Sequence, residues 1–406
     1  WQTGDIKTSN FTAADGKGFF VDTNGGAITA TLPAGSAGAI ISFQDYRNSF
    51  QTNNLTITPN GSEKINTGAG PVTLSTEGEG ATLVYIDSTV GWRSIQDNQF
   101  ADEGAAFVEA TGGTITTVCT NFKVHTFTGP GSFVVSNAGA PTGSNTVDYL
   151  VVAGGGGGGG GLGGGGGAGG YRESGGTASG CYTVSPLGSS PSSVAALPVS
   201  VQSYPITVGG GGTGRTSPGA AGGNGNPSIF STITSTAGGG GGTVGTPPKN
   251  SGSDGGSGGG GAGQNPETNG GSGNNPPTSP PQGKNGGVAN PSPTYFGGGG
   301  GGALEVGRPG IPPASPAIGV GGGGATSSIN GTPTARAGGG GGGGDGPAKS
   351  GGSGGGGASG AFSQGNGSAG TDNTGGGGGG GSGGGPTGGD GAAGGSGIVI
   401  IRYRFQ

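Results

Sequence analysis

Few residues in this 406-residue chain could do covalent chemistry: it has one histidine, two cysteines and no methionine. His125 lies in NFKVHTFTG, with Lys123 and Phe127 on its strand face, and no nearby Ser or Cys with an Asp would make it a general base. A structural or surface role is expected. Two carboxylates about 5–9.5 Å apart could cleave glycosidic bonds. The available pairs, Asp102 with Glu103 and Glu77 with Glu79, fall in turn-like segments, where solvated surface is the simpler reading. Cys119 and Cys181 lack CxxC spacing for zinc or redox work. They are either one disulfide or two unrelated buried thiols.

Phosphate and metal motifs are equally thin. GxGxxG recurs by composition alone, no match sits in a convincing βαβ unit, and GxxxxGK[ST] is absent. GGNGNPSIF, the nearest calcium-repeat look-alike, has Pro227 where that motif needs Asp. The expectation is a protein that is not an enzyme and takes no cofactor or metal.

Composition points to what must position any binding residues. Only 28% of residues are hydrophobic and 9% charged, while Gly supplies 116 positions, so one conventional core cannot span the chain. The net charge of −5 comes with scattered basic residues, which leaves no footprint for nucleic acid. No apolar run approaches the roughly 20 residues of a membrane span, so no membrane insertion is expected. With Trp1 first and no Met, the chain reads as processed or as the C-terminal part of a longer protein.

Period-2 alternation appears in Ala27–Gly35, Ala39–Tyr46, Asn53–Gly61, Pro71–Thr76 and Ala81–Trp92, each bounded by Gly, Asn or Pro. This predicts a β unit over 1–100. A second β domain is expected over 101–153, its sheet completed by 203–208, 228–236 and 397–405. There Gly129-Pro130-Gly131, between Phe122–Thr128 and Ser132–Ser136, signals a compact hairpin.

The remainder, 154–396, is dominated by nearly pure glycine runs: Gly154–Gly161, Gly238–Gly242, Gly297–Gly302, Gly321–Gly324, Gly338–Gly344, Gly354–Gly357 and Gly375–Gly381. A flexible tether is the bland reading. Purity, recurrence and the terminal apolar strand GIVIIRYRF argue against it. Collagen needs Gly at every third position, and Gly costs a helix about 1 kcal/mol per residue relative to Ala. What remains is the left-handed polyglycine-II form, with about 3 residues per turn, whose peptide groups point about 120° apart toward several neighbours. Ordering costs about 1–2 kcal/mol per residue against about 0.5–1.5 per net hydrogen bond, so one run alone is disordered and only a packed lattice holds. The fold class is thus all-β plus non-regular structure: small sandwich-like domains, then a polyglycine-II lattice with connecting loops and essentially no α-helix.

Gly154, Gly158, Gly240, Gly299, Gly322, Gly341, Gly355 and Gly378 represent the scaffold. The lone Leu162 is expected at an outward or edge position. Charged residues are expected in the connecting segments, where polar and aromatic residues nominate a binding surface. The candidates are Lys249, Asn250 and Asp254; Asn265 and Glu267; Asn274 and Asn275; Tyr295 and Phe296; Arg308; Asn330 and Arg336; Lys349; and Phe362 with Asn366. Aromatic rings offer stacking and apolar area, and Asn or Arg offer polar readout.

Two resemblances add to this. GFFVDTNGGAITATLPAG, DYRNSFQTNNLTITPNGSEKI and ATLVYIDSTVGWRSI, in that order, resemble a β module repeated in tail-fibre proteins of tailed bacteriophages, covering Trp1–Ile95. The glycine region resembles the tip adhesins of T-even-like phage tail fibres, and DYLVVAGGGGGG and SGIVIIRYRF look like opening and closing strands of glycine-rich fibre domains. The resemblance implies a virion tail-fibre adhesin, extracellular and trimeric, whose loops bind a host-surface protein or glycan and whose partners include other fibre subunits. A structural extracellular filament or matrix protein is the alternative. The β units within the same chain and the insertion NNPPTSPPQGKN depart from the adhesin pattern.

Overall fold

The computed structural model describes residues 1–95, 107–140, 143–176, 178, 180, 182–189, 194–215, 220–245, 247–263, 268–289, 295–310, 318–383 and 388–406, excepting the Ser363 side chain. The 100/101 boundary expected from the sequence lies outside them. So does Cys181, and with it the possible disulfide to Cys119.

Residues 1–95 form two four-stranded sheets. One contains Phe11–Thr12, Ile28–Thr31, Leu55–Thr58 and Val72–Leu74, the other Lys17–Val21, Ile40–Asp45, Gly80–Asp87 and Gly91–Ser94. Through the first five of these the chain alternates between sheets, so Ile28–Thr31 lies parallel to Phe11–Thr12 and to Leu55–Thr58, and Lys17–Val21 parallel to Ile40–Asp45. Alternation puts Phe19, Val21, Ile28, Ile41, Phe43, Leu55, Ile57 and Leu83 into one core closed by Trp92.

The second β domain is a sandwich. Its first sheet runs Thr114–Val118, Phe122–Phe127, Ile398–Arg404, Thr146–Val152, Tyr171–Glu173, and its second runs Ile233–Ser235, Ser228–Phe230, Ser203–Thr207, Gly131–Ala138, Val108–Thr111. The expected 122–136 hairpin does not form. Phe122–Phe127 pairs with Thr114–Val118 and Ile398–Arg404, Gly131–Ala138 pairs in the opposite sheet, and Gly129-Pro130-Gly131 carries the chain across. Phe127, Tyr149, Val151, Val399, Ile401 and Tyr403 meet Phe133, Val135, Tyr204, Ile206 and Phe230 between the sheets. The central strands of the first sheet are buried on both faces: Val124, Leu150, Val152, Ile398 and Ile400 point away from the sandwich, onto Ala168, Tyr171, Ala303, Ala325, Ile329 and Ala337 of the glycine region. Helix is confined, among the described residues, to Pro186–Ser189 and a 3-10 turn at Phe362–Gln364.

The glycine runs form the lattice seated on that outer face. Gly154 and Gly157 donate to Asn226 and Gly223, Gly155 and Gly158 to Gly395 and Ala392, and Gly156 and Gly159 to Gly167 and Gly164. Every third residue returns to the same neighbour, the periodicity of polyglycine II. The same rod accepts from Gly212, from Gly238 and Gly241, and from Gly378 and Gly381, so it is bonded on all sides. Rod 163–170 is equally surrounded: Gly163, Gly166 and Gly169 donate to Gly381, Gly378 and Gly375, Gly164 and Gly167 to Gly242 and Gly239, and Gly165 and Ala168 to Gly298 and Gly301. A Cβ at Gly158, Gly240, Gly299, Gly322, Gly341 or Gly378 would collide with a neighbouring carbonyl, which is why these runs are pure. Only glycine permits that approach.

Three details differ from expectation. Gly355 has φ +94° and lies in a turn rather than a rod. Leu162, at φ 51° in the turn joining the two innermost rods, is buried, not outward. Charged and amide residues also line the outer rods, where their oxygens replace missing backbone acceptors. Asn224 accepts from Gly240 N (2.9 Å), Asp254 from Ser272 N (2.6 Å), Asn285 from Gly273 N (2.8 Å) and Asn366 from Asp390 N (2.8 Å). Polar side chains thus finish the lattice edge and satisfy amides that would otherwise lack a protein partner.

Candidate functional site

Because the rods run up and down, their connections gather at two ends. At the near end, beside the sandwich, are the turns at 255–257, 303–305, 353–355 and 371–375, the segment 275–282 and the hairpin Ala325–Ser327/Thr334–Arg336. At the far end, level with Leu162, are 247–250, 344–349 and 361–365. Residues 215, 263, 289, 310 and 383 also lie at this end.

The near-end candidates are structural. Asn274, at φ 54°, accepts from Thr278 N (3.0 Å) and Gln282 N (3.1 Å) and so ties its own loop. Gln282 in turn bonds Thr236 through N (2.8 Å) and Oγ1 (3.1 Å). Asn275 donates to Asp254 at 2.9 Å. Arg336 is buried against Tyr171 and Glu173, and desolvation draws its pKa down, so it presents no guanidinium for readout. Asn330, half-buried, follows Ile329 of the interface core.

Around Arg336 lies a network that the sequence reading missed. Glu173 is 2% exposed and accepts from Ser327 Oγ (2.5 Å), Tyr171 Oη (3.0 Å) and Ser185 N (3.1 Å). Desolvation raises its pKa despite those donors. Arg402, fully buried, stacks between the rings of Phe122 (4.8 Å) and Tyr182 (4.9 Å) and donates to the Ile329 and Gly180 carbonyls. An arginine inside the apolar run IVIIRYRF was the available signal.

The far end collects the others. Phe296 lies against Gly344 and Gly346, with Lys349 Nζ 5.0 Å from its ring centroid. Phe362 donates its amide to the Gly346 carbonyl (2.7 Å), and Ser382 Oγ donates to the Phe362 carbonyl. Phe362 is nonetheless 64% exposed at φ 50°, and Tyr295 is 38% exposed. Lys349, Phe296, Phe362 and Gly346 therefore form one cluster that sequence separation had hidden. Lys249 is exposed in the 247–250 turn, whereas Asn250 is buried, its carbonyl accepting from Ala262, and offers no surface. Arg308 is exposed on a lateral rod approaching this end, and Asn366 accepts from Asp390 N at 2.8 Å as an edge cap. Asn265 and Glu267 lie outside the described residues.

What this arrangement offers chemically is a rigid block, anchored at one end and presenting aromatic and cationic side chains at the other. No curated protein matches the chain. The family model described as a glycine-rich domain matches residues 128–404, which take in the sandwich strands from Gly131 onward and the whole lattice. The chain belongs to that glycine-rich domain family.

Proposed function

We propose that the chain is a distal tail-fibre protein of a tailed bacteriophage that attaches to a host-cell surface receptor through the far-end loops of its lattice. The observation that carries the reading is the difference between the two ends. Near-end connections are bonded to strands of the sandwich, as Gln282, whose carbonyl accepts from Tyr171 N, and Ser327, which donates to Glu173, illustrate. Far-end loops leave the rods without entering that interface core; Phe362 in one of them is exposed, as is Tyr295 at the start of its rod. A stiff support reduces the entropy lost on binding, and several copies on one fibre add avidity. The rest of the reading is a binding protein without catalysis, located in the virion, assembled as a homotrimer with other fibre subunits.

The test is competition. Purified chain added to host cells should block phage adsorption, and exchanging 344–349 together with 361–365 for loops of another host range should transfer the specificity. If the chain instead polymerises alone, leaves adsorption unchanged, and loop exchange alters only polymerisation, the extracellular-filament alternative replaces this reading.

A further inference from the structure

Ile398–Arg404 enters last in sequence yet occupies the middle of the first sheet. It pairs with Phe122–Phe127 on one side, from Val399 opposite Phe127 to Arg404 opposite Phe122, and with Thr146–Val152 on the other, from Ile398 opposite Val152 to Arg402 opposite Asp148. Both faces are used. Val399, Ile401 and Tyr403 fill the sandwich core, while Ile398 and Ile400 complete the apolar floor under the rods. Just before it, Gly397 donates to Gly209 and Ser396 accepts from Gly375. One strand thus closes the sandwich, the lattice floor and the last rod together.

We propose that Ile398–Arg404 is a separable closing strand: the slot between Phe122–Phe127 and Thr146–Val152 is a binding site for an extended apolar peptide carrying an arginine, and its filling is what locks the lattice. The slot selects its occupant by register. Arg402 finds two aromatic faces and the Ile329 and Gly180 carbonyls at one position. A one-residue slip would turn that guanidinium into the sandwich core and bring Tyr403 to the floor. His125 adds a second pin, its Nε2 accepting from Tyr403 Oη at 3.0 Å. Without an occupant, the strands on either side expose unpaired backbone edges and both cores open, so the rods lose the surface they stand on.

The experiment uses the chain ending at Ser396, with a synthetic peptide spanning Gly397–Gln406 and the same peptide carrying Arg402→Glu. Amide exchange and protease resistance of 154–161 and 163–170 are read. The truncated chain should lose lattice protection, the native peptide should restore it saturably, and Arg402→Glu should weaken that restoration about tenfold or more because it buries an unpaired carboxylate. Full protection without peptide, or peptide binding without recovered protection, would overturn the proposal. Should the truncated chain aggregate, a full-length chain with a protease site between Ser396 and Gly397 replaces it. After cleavage, labelled peptide should exchange into the slot in step with transient lattice opening; exchange with the lattice still protected would refute it.

Discussion

His125 and Tyr403 are joined side chain to side chain at 3.0 Å, on adjacent strands 278 residues apart in sequence. His125 Nδ1 lies 2.7 Å from the Gly112 carbonyl, which can only accept, so Nδ1 carries the proton and Nε2 is left to accept from the Tyr403 hydroxyl. The imidazole is buried, and desolvation lowers its pKa from 6.5.

That lowering fixes the sign of a pH effect. The unfolded chain protonates near 6.5 and the folded chain at lower pH, so the stabilisation is complete above 6.5 and is lost as pH falls below it, at up to about 1.4 kcal/mol per pH unit. Lys123, on the same strand, depresses the folded value further. Glu173 has the opposite sign: its pKa is raised from 4.5, so its contribution is full below 4.5 and is lost as pH rises through the folded value. Thermal melts of wild type and His125→Phe between pH 7.5 and 5 separate the two. The difference between the curves should shrink as pH falls; a constant difference would remove His125 from the account.

Glu173 and Arg336 are expected to behave as a coupled pair. Glu173→Ala leaves the Ser327 and Tyr171 hydroxyls and the Ser185 amide without their acceptor and removes the negative charge nearby that favours the buried Arg336 guanidinium, a loss of at least about 1–3 kcal/mol by denaturant unfolding. Glu173→Leu combined with Arg336→Met should cost less than the sum of those two changes made singly. Additive losses in the double variant would show that the two groups do not interact.

For the lattice, one substitution has opposite consequences at two glycines. A Cβ at Gly341 would collide with the Lys349 carbonyl, whereas at Gly210 the nearest atom is Asn226 Nδ2 at 3.8 Å. Gly341→Ala should destabilise by at least about 1–3 kcal/mol, as overpacking does. Gly210→Ala should be neutral or stabilising by about 0.4–1 kcal/mol, because it restricts the unfolded chain. Equal melting temperatures would contradict backbone contact as the reason for glycine purity.

Phe362 sits where glycine would be cheaper, at φ 50° and 64% exposed. A left-handed non-glycine residue costs about 1–2 kcal/mol, so Phe362→Gly should raise the melting temperature. Under the proposed function the same change should weaken cell binding about tenfold or more, as loss of an aromatic anchor does. A variant that is more stable and binds undiminished would take Phe362 out of the receptor surface.

The sequence by itself determined the elements and their chemistry. Alternation and turn residues marked the strands of 1–95 and the pieces at Ser203–Thr207, Ser228–Phe230 and Ile398–Arg404, because side-chain period reports directly on a sheet face. Pure glycine marked rods, because a backbone packed on all sides excludes any Cβ. Tertiary structure alone decided which elements meet. Phe122–Phe127 reads as one arm of a hairpin, but its partners lie at Thr114–Val118 and at the far end of the chain; the apolar strands flanking that slot are buried on both faces, so their pattern names no neighbour. Glycine runs are chemically identical, so their order, the near and far ends, and the meeting of Phe296, Lys349 and Phe362 follow from backbone hydrogen bonds that leave no mark on local sequence.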